Sequence, residues 1–399
     1  MARRKPEERK ERFVVLRSIK ARTRDVFAGP FALPTDVEPA RIAVEVERIE
    51  RKNLPSLTRE SDVVAVAPAM RMKLIEPKAV TPAPAAAGSS WGIGAVGADT
   101  SPFDGSGIVV AVLDTGIDPS HPAFQGVTLI QKDFTGDGNG DQHGHGTHCA
   151  GTIFGRTTAG MRIGVATGVQ KALIGKVLGS QGGGSDKIAS AIQWAAENGA
   201  NVISMSLGID FPGFVKELEG TGLQTEPATS RALEAYRANV MLFERLATLL
   251  RAQANFGTAT LVTAAAGNES DRNGNPAYEI AVSPPAVAEG IVSVAALGQG
   301  PGGFTVADFS NTGANVAAPG VNITSAKRGG GFANMSGTSM ATPHVAGVAA
   351  LWAQKIASSG ALTPLALTVR LIGSASKDGL AQGTDPFDVG EGLVHAPQI

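Results

Sequence analysis

The sequence predicts an α/β protein: a doubly wound, mostly parallel sheet with helices on both faces, three layers in all, preceded by a small α+β module. Continuous apolar runs of strand length, at 108–113, 201–206 and 259–265, alternate with helical segments and glycine turns. A strand with no polar alternation is buried on both faces, and strand–helix–strand repetition winds a parallel sheet. The texture also breaks at residues 76–90, where Pro, Ala, Gly and Ser crowd without periodicity. That composition reads as an extended linker between a 1–75 module and a 91–399 domain.

Residues 1–12 are charged and read as a solvated terminus that leads into a strand at 12–18. A mixed helical stretch around 38–52 and a β-rich run at 62–68 complete a module that is small for an independent core. No apolar segment of about 7–15 residues follows the basic start, so no secretory signal is visible. A cytoplasmic location is favoured on that ground, with secretion by another route left open. Beyond the linker, 108–113 opens the sheet. Ser185 reads as the cap of a helix in which Ile188, Ala191, Ile192 and Ala195 recur at helical spacing, and Gly199 stands where that helix stops. Residues 209–228 read as an insertion, a loop running through Phe211-Pro212-Gly213 and Gly220-Thr221-Gly222. A helix then starts near Pro227 or Ser230, with Leu233, Tyr236, Val240, Phe243, Ala247 and Leu250 as its buried stripe.

Composition removes several function classes. Over 399 residues there are 35 basic and 36 acidic side chains, which argues against a nucleic-acid footprint. A single cysteine, Cys149, permits no intrachain disulfide and no cysteine-based zinc site. Charges, Gly and Pro interrupt every apolar run well short of the roughly 20 residues of a membrane span, so no membrane partner is expected.

Chemistry concentrates in four segments at predicted strand ends or helix starts. These are Leu113-Asp114-Thr115-Gly116, His143-Gly144-His145-Gly146-Thr147-His148, Ala265-Ala266-Gly267-Asn268, and Ser336-Gly337-Thr338-Ser339-Met340-Ala341-Thr342-Pro343-His344. The carboxyl ends of strands in an open parallel sheet are where ligands bind. Acyl transfer suits these groups. A serine hydroxyl needs an imidazole to take its proton, and the imidazole needs a carboxylate to hold its tautomer. The oxyanion that forms needs donors fixed in advance, which the Asn268 amide and the Ser339 backbone N–H could supply. Pro343 is expected in the first helical turn, where its missing N–H costs little.

The four segments, in the order Asp, His, Asn, Ser, resemble the signatures of the subtilisin-like serine proteases, the subtilases, over roughly residues 90–399. The resemblance implies Ser339 as nucleophile, His145 as general base, Asp114 as orienting acid and Asn268 with Ser339 as the oxyanion hole. It also implies that Lys176-Val177-Leu178-Gly179 and Ser206-Leu207-Gly208 line a cleft binding a peptide or protein substrate as an added strand. Residues 1–75 resemble, less specifically, the inhibitory propeptide of that family. On this basis 70–76 would occupy the cleft, with self-cutting between about 74 and 90, the module acting as an intramolecular inhibitor.

No cofactor is required for this chemistry. A structural calcium is compatible with the family, but the usual ligands are not evident. His121-Pro122 is followed by Ala123, the loop 156–161 lacks the expected asparagine, and the acidic turn 133–141 misses EF-hand spacing. Three rival readings stand beside the protease. The His143, His145, His148 cluster could serve a metallohydrolase. The insertion beside the cleft suits a narrow-specificity peptide-maturation or transpeptidating enzyme. An inactive binding scaffold is the third.

Overall fold

The computed structural model describes residues 10–19, 41–82, 88–254 and 257–399. The charged start before residue 10 and residues 83–87 of the linker segment lie outside them. The central sheet orders its strands as Gly303–Val306, Ile291–Gly300, Leu261–Ala265, Val202–Met205, Val109–Asp114, Lys171–Lys176 and Thr128–Asp133, and Val316–Pro319 also pairs with Ile291–Gly300. Every pair is parallel except Gly303–Val306 against Ile291–Gly300. The unbroken apolar runs have the expected cause: Val110, Val112, Leu113, Ile203 and Val262 are all buried. Chain order puts the first strand, Val109–Asp114, in the middle with later strands wound out to both sides. Its carboxyl end is therefore a crevice where the winding reverses, and Asp114 sits there.

Two helices carry the other motifs. His145–Phe154 is buried along its whole length and packs on Thr338–Ser359, which also contacts five strands of the sheet. Pro343 lies inside the latter helix rather than in its first turn. Its missing N–H leaves the Ser339 carbonyl without its helical donor. Ser206 Oγ (3.3 Å) and Cys149 Sγ (3.4 Å) donate to that carbonyl instead.

The amino-terminal module is a three-stranded antiparallel sheet with Glu11–Ile19 between Arg41–Ile49 and Val63–Pro68. The expected helical stretch around 38–52 is thus a strand over 41–49. Ile42, Val44 and Val46 alternate with Glu45 and Glu47, and Arg17 on the neighbouring strand draws Glu45, Glu47, Glu60 and Asp62 to itself. This sheet rests on the helices Ser185–Glu197 and Thr225–Gln253. Ser185 is the first residue of its helix and caps nothing; its Oγ accepts the Met70 N–H at 3.1 Å while its own N–H donates to the Met70 carbonyl. Gly199, at φ +84°, lies just beyond that helix as expected.

The insertion is also more ordered than its composition suggests. Phe211–Gly220 is a helix, capped by Asp210, whose carboxylate accepts the Gly213 N–H at 3.2 Å, with Pro212 in the first turn. The next helix begins at Thr225; Phe243, Ala247 and Leu250 are buried as expected, and the stripe is shifted only in the first half of the helix. Leu233 is exposed, while Ala232, Ala235 and Asn239 are buried where the module's sheet comes close. Small side chains face the module because its backbone approaches the helix there.

Candidate active site

Asp114, the last residue of the central strand, is buried, and its Oδ1 is 2.7 Å from His145 Nδ1. The Thr115 N–H donates to the same oxygen, which fixes the carboxylate. His145 begins its helix and is wholly buried. Burial alone would push the imidazole toward its neutral form, but the Asp114 carboxylate outweighs it and holds the pKa well above the usual 6.5. Gly146 is required by the close approach of helix to strand: a Cβ there would stand 2.2 Å from the Gly116 carbonyl oxygen.

One residue that the sequence reading left in an acidic turn sets this geometry. The buried Asp141 carboxylate accepts the N–H groups of His143, Gly144 and Thr147 and the hydroxyls of Thr115 and Thr147, all within 2.9 Å. Burial would raise its pKa, but these donors bring it below the usual carboxylate value. Asp141 thus ties the residue after Asp114 to the first turn of the His145 helix. The available signal was an acidic residue just ahead of a helix N-terminus. Asp133, in the same turn, accepts from Thr135 N–H and Oγ1 and from the Gly136 and Gly138 N–H groups.

Ser339 is the second residue of its helix and is buried. Beside it, Asn268 accepts from the Thr338 N–H and hydroxyl, both at 2.9 Å, through Oδ1. That orientation turns Nδ2 to the cleft, where it donates to the Glu76 carbonyl at 2.9 Å. Ser339 Oγ donates to the Ile75 carbonyl at 3.0 Å, and His145 Nε2 is buried without a hydrogen-bond partner. Hydroxyl and amide therefore address two successive carbonyls of the chain itself.

The segment that brings those carbonyls in is a strand, Arg71–Leu74, held antiparallel between Leu207–Ile209 and Gly183–Gly184. Leu207 faces Leu74, Gly208 faces Lys73, and the Ser206 carbonyl accepts the Ile75 N–H at 3.5 Å. Met72 and Ile75 are buried in the cleft, and Ile75 lies against Gly208. Lys176, Leu178 and Gly179 line a cavity of about 450 Å³ beside the strand, while Val177 is buried behind it. Lys176, Leu178 and Gly179 make the cleft's side wall; on that side the edge that pairs with the segment is Gly183–Gly184, which the motifs did not flag. Lys176 Nζ is held by the Gly138 carbonyl (3.0 Å) and Gln142 Oε1 (2.6 Å), and Lys73 pairs with Glu269 at 3.2 Å. Beyond the centre, the Lys78 N–H donates to the Ser336 carbonyl, and Ala79–Pro82 forms a further strand along Phe332–Ser336.

The three histidines of the metal reading do not converge. Among the described residues, the one group of three potential ligand atoms close together is Asp114, His145 and Cys149. His148 Nε2 instead donates to the Ile323 and Ala333 carbonyls (3.0 and 3.1 Å), and burial together with His145 lowers its pKa to about 3.

A doubly wound sheet with an Asp–His pair at its central strand end, and a serine and an amide at a facing helix start, is the arrangement of one protein class. The subtilase family model matches residues 105–392, and the chain belongs to that family. It is 36% identical to Subtilisin Savinase of Lederbergia lenta over 275 residues, 66% of this chain and 84% of that protein. It is 34% identical to an intracellular serine protease of Paenibacillus polymyxa over 311 residues, 74% of this chain and 81% of that one. Against the M-protease of Shouchella clausii strain KSM-K16, also 36% identical, the chain spans 60% of the relative's length. The crystal structure of fervidolysin from Fervidobacterium pennivorans, a keratinolytic enzyme related to subtilisin, superposes with a TM-score of 0.64 at 22% identity, covering 99% of this chain and 61% of that one. That last likeness is one of fold.

Proposed function

We propose that the chain is a serine endopeptidase made as a self-processing zymogen. Ser339 is the nucleophile, His145 the general base, Asp114 the orienting acid, and Asn268 Nδ2 with the Ser339 N–H the oxyanion donors. The observation that carries this reading is the peptide already in the cleft, residues 71–76, with the Ser339 hydroxyl and the Asn268 amide each on one of its carbonyls. As Ser339 Oγ adds to a carbonyl carbon, its proton passes to His145 Nε2, and Asp114 stabilises the imidazolium. Collapse of the oxyanion breaks the C–N bond, the leaving amine takes the proton from His145, and water repeats the attack to release the acid. These steps use side chains and water alone.

For a bond to break, one carbonyl has to receive both the hydroxyl and the amide. Self-cutting therefore requires a local shift at Ile75–Glu76–Pro77 that sets the carbonyl carbon of either Ile75 or Glu76 at the hydroxyl and its oxygen at the amide. Until then the amino-terminal module acts as the enzyme's own inhibitor. The test is intact-mass analysis of the wild-type chain and Ser339→Ala after parallel incubation. The wild type loses the mass of residues 1–75 or 1–76, and Ser339→Ala stays whole. A wild type that stays whole and cleaves no added polypeptide overturns the reading.

A narrower peptide-maturation or transpeptidating activity has one observation in its favour. The helix Phe211–Gly220 packs beside the cleft strand, and the Asp210 N–H donates to the Arg71 carbonyl, extending the groove wall. Ready degradation of casein by the processed enzyme rules that narrower activity out.

A further inference from the structure

The strand in the cleft buries Met72, and its alternation sends the next side chain, Lys73, the other way. Lys73 lies opposite Gly208 in the antiparallel register, so backbone pairing fixes where that side chain starts. Its ammonium meets Glu269, the residue directly after Asn268, with Nζ 3.2 Å from Oε1. The domain itself holds this carboxylate in place. Oε2 accepts from Asn311 Nδ2 at 2.9 Å. Asn311 is buried, and its Oδ1 accepts the Glu269 and Ser270 N–H groups at 3.0 and 3.1 Å. A surface ion pair ordinarily contributes little, because two long side chains must be ordered to make it. Here the acid is ordered already, and the loss of freedom falls on the lysine alone.

The surroundings carry the same sign. Glu269, Asp271 and Asp308 line one cavity of about 560 Å³, and the basic residue in its lining, Lys78, belongs to the cleft segment. Arg272 does not neutralise this rim, because its guanidinium is turned to Glu279 and Asp388. We propose that Glu269 is a specificity-determining residue, which gives the cleft a preference for Lys or Arg at the place Lys73 holds, two residues before Ile75. The proposal rests on the endopeptidase reading above and names its substrate class: polypeptides with a basic side chain at that place. An acidic side chain there would face a fixed carboxylate with no cation between them, so such segments are selected against.

The test uses the self-processed enzyme and internally quenched peptides copying residues 69–78, with Lys, Gln or Glu at the place of Lys73. The expected kcat/KM falls by about fivefold from Lys to Gln and again from Gln to Glu, the scale of one well-held ion pair. The change lies mainly in KM, since the pair is made in ground state and transition state alike. High salt narrows the spread. Glu269→Gln, which keeps the side chain's shape, removes the difference between the Lys and Gln peptides, and Glu269→Lys reverses the order. Equal rates for the three peptides in the wild type overturn the preference and leave the endopeptidase intact. A preference for Lys that persists undiminished in Glu269→Gln overturns the assignment to Glu269. Failure to cut any of the peptides, with the wild type matching Ser339→Ala, overturns both readings.

Discussion

At Ser339 the backbone matters as much as the hydroxyl. Pro343 strips that residue's carbonyl of its helical donor, and Ser206 and Cys149 share the carbonyl instead. Because a thiol is a weak donor, Cys149→Ala leaves kcat/KM within about threefold of wild type while Ser206 remains. Ser339→Ala, by contrast, loses about 10⁶ in turnover, the value known for the nucleophile of subtilisin. A titration of activity measures the Asp114–His145 pair. In its proposed role as general base, His145 has to be unprotonated to accept the serine proton, and Asp114 raises its pKa, so kcat/KM of the processed enzyme is expected to climb with pH through a midpoint above 6.5. Asp114→Asn removes that attraction, moves the midpoint down and costs about 10⁴ in rate. A midpoint at or below 6.5 in the wild type contradicts the assigned pairing.

The two elements that receive the amino-terminal module show how far sequence patterns reach. The catalytic motifs could be read because each chemical group is local and stands where a strand ends or a helix starts. The module's strand over 41–49 could not be read so easily: its alternation is short, and its Glu45 and Glu47 are held by Arg17 on the neighbouring strand, a partner distant in sequence. Pro212 and Gly213 looked like loop residues but sit in a helix's first turn under the Asp210 cap. The phase of Thr225–Gln253 was legible at Phe243, Ala247 and Leu250, whereas its first half depended on a partner that no local pattern encodes, since its buried face there is set by contact with the module. Asn239 belongs to that face, donating from Nδ2 to the Pro68 carbonyl at 2.8 Å. Asn239→Ala leaves that carbonyl without its donor, so activity appears roughly fivefold sooner after the self-cut than in wild type. An unchanged lag would show that this contact does not govern release.

Across the whole molecule, two buried histidines set the response to acid. His148 and His344 are pressed by burial to pKa values of about 3 and about 4, below the roughly 6.5 of an unfolded chain. Between those values the unfolded chain binds protons that the folded one refuses, so stability is full above about pH 6.5 and falls as pH drops toward 4. Each histidine contributes a slope of up to about 1.4 kcal/mol per pH unit. His145, with a raised pKa, works in the opposite sense but is outnumbered. Thermal unfolding of Ser339→Ala, which cannot cut itself, is therefore expected at lower temperature at pH 5 than at pH 7. His344→Gln flattens the difference; an identical profile in that variant would show that His344 stays unprotonated for another reason.

The segment crossing the cleft is pinned at both ends. Met70 is bonded to Ser185 on one side, and Gly88 and Ser90 donate to the Gly160 and Arg162 carbonyls on the other. In the proposed zymogen, enzyme and first substrate are one molecule, and their encounter requires no collision. Awakening then follows first-order kinetics, with a half-life that dilution leaves untouched. A single copy matures as promptly as a crowded population.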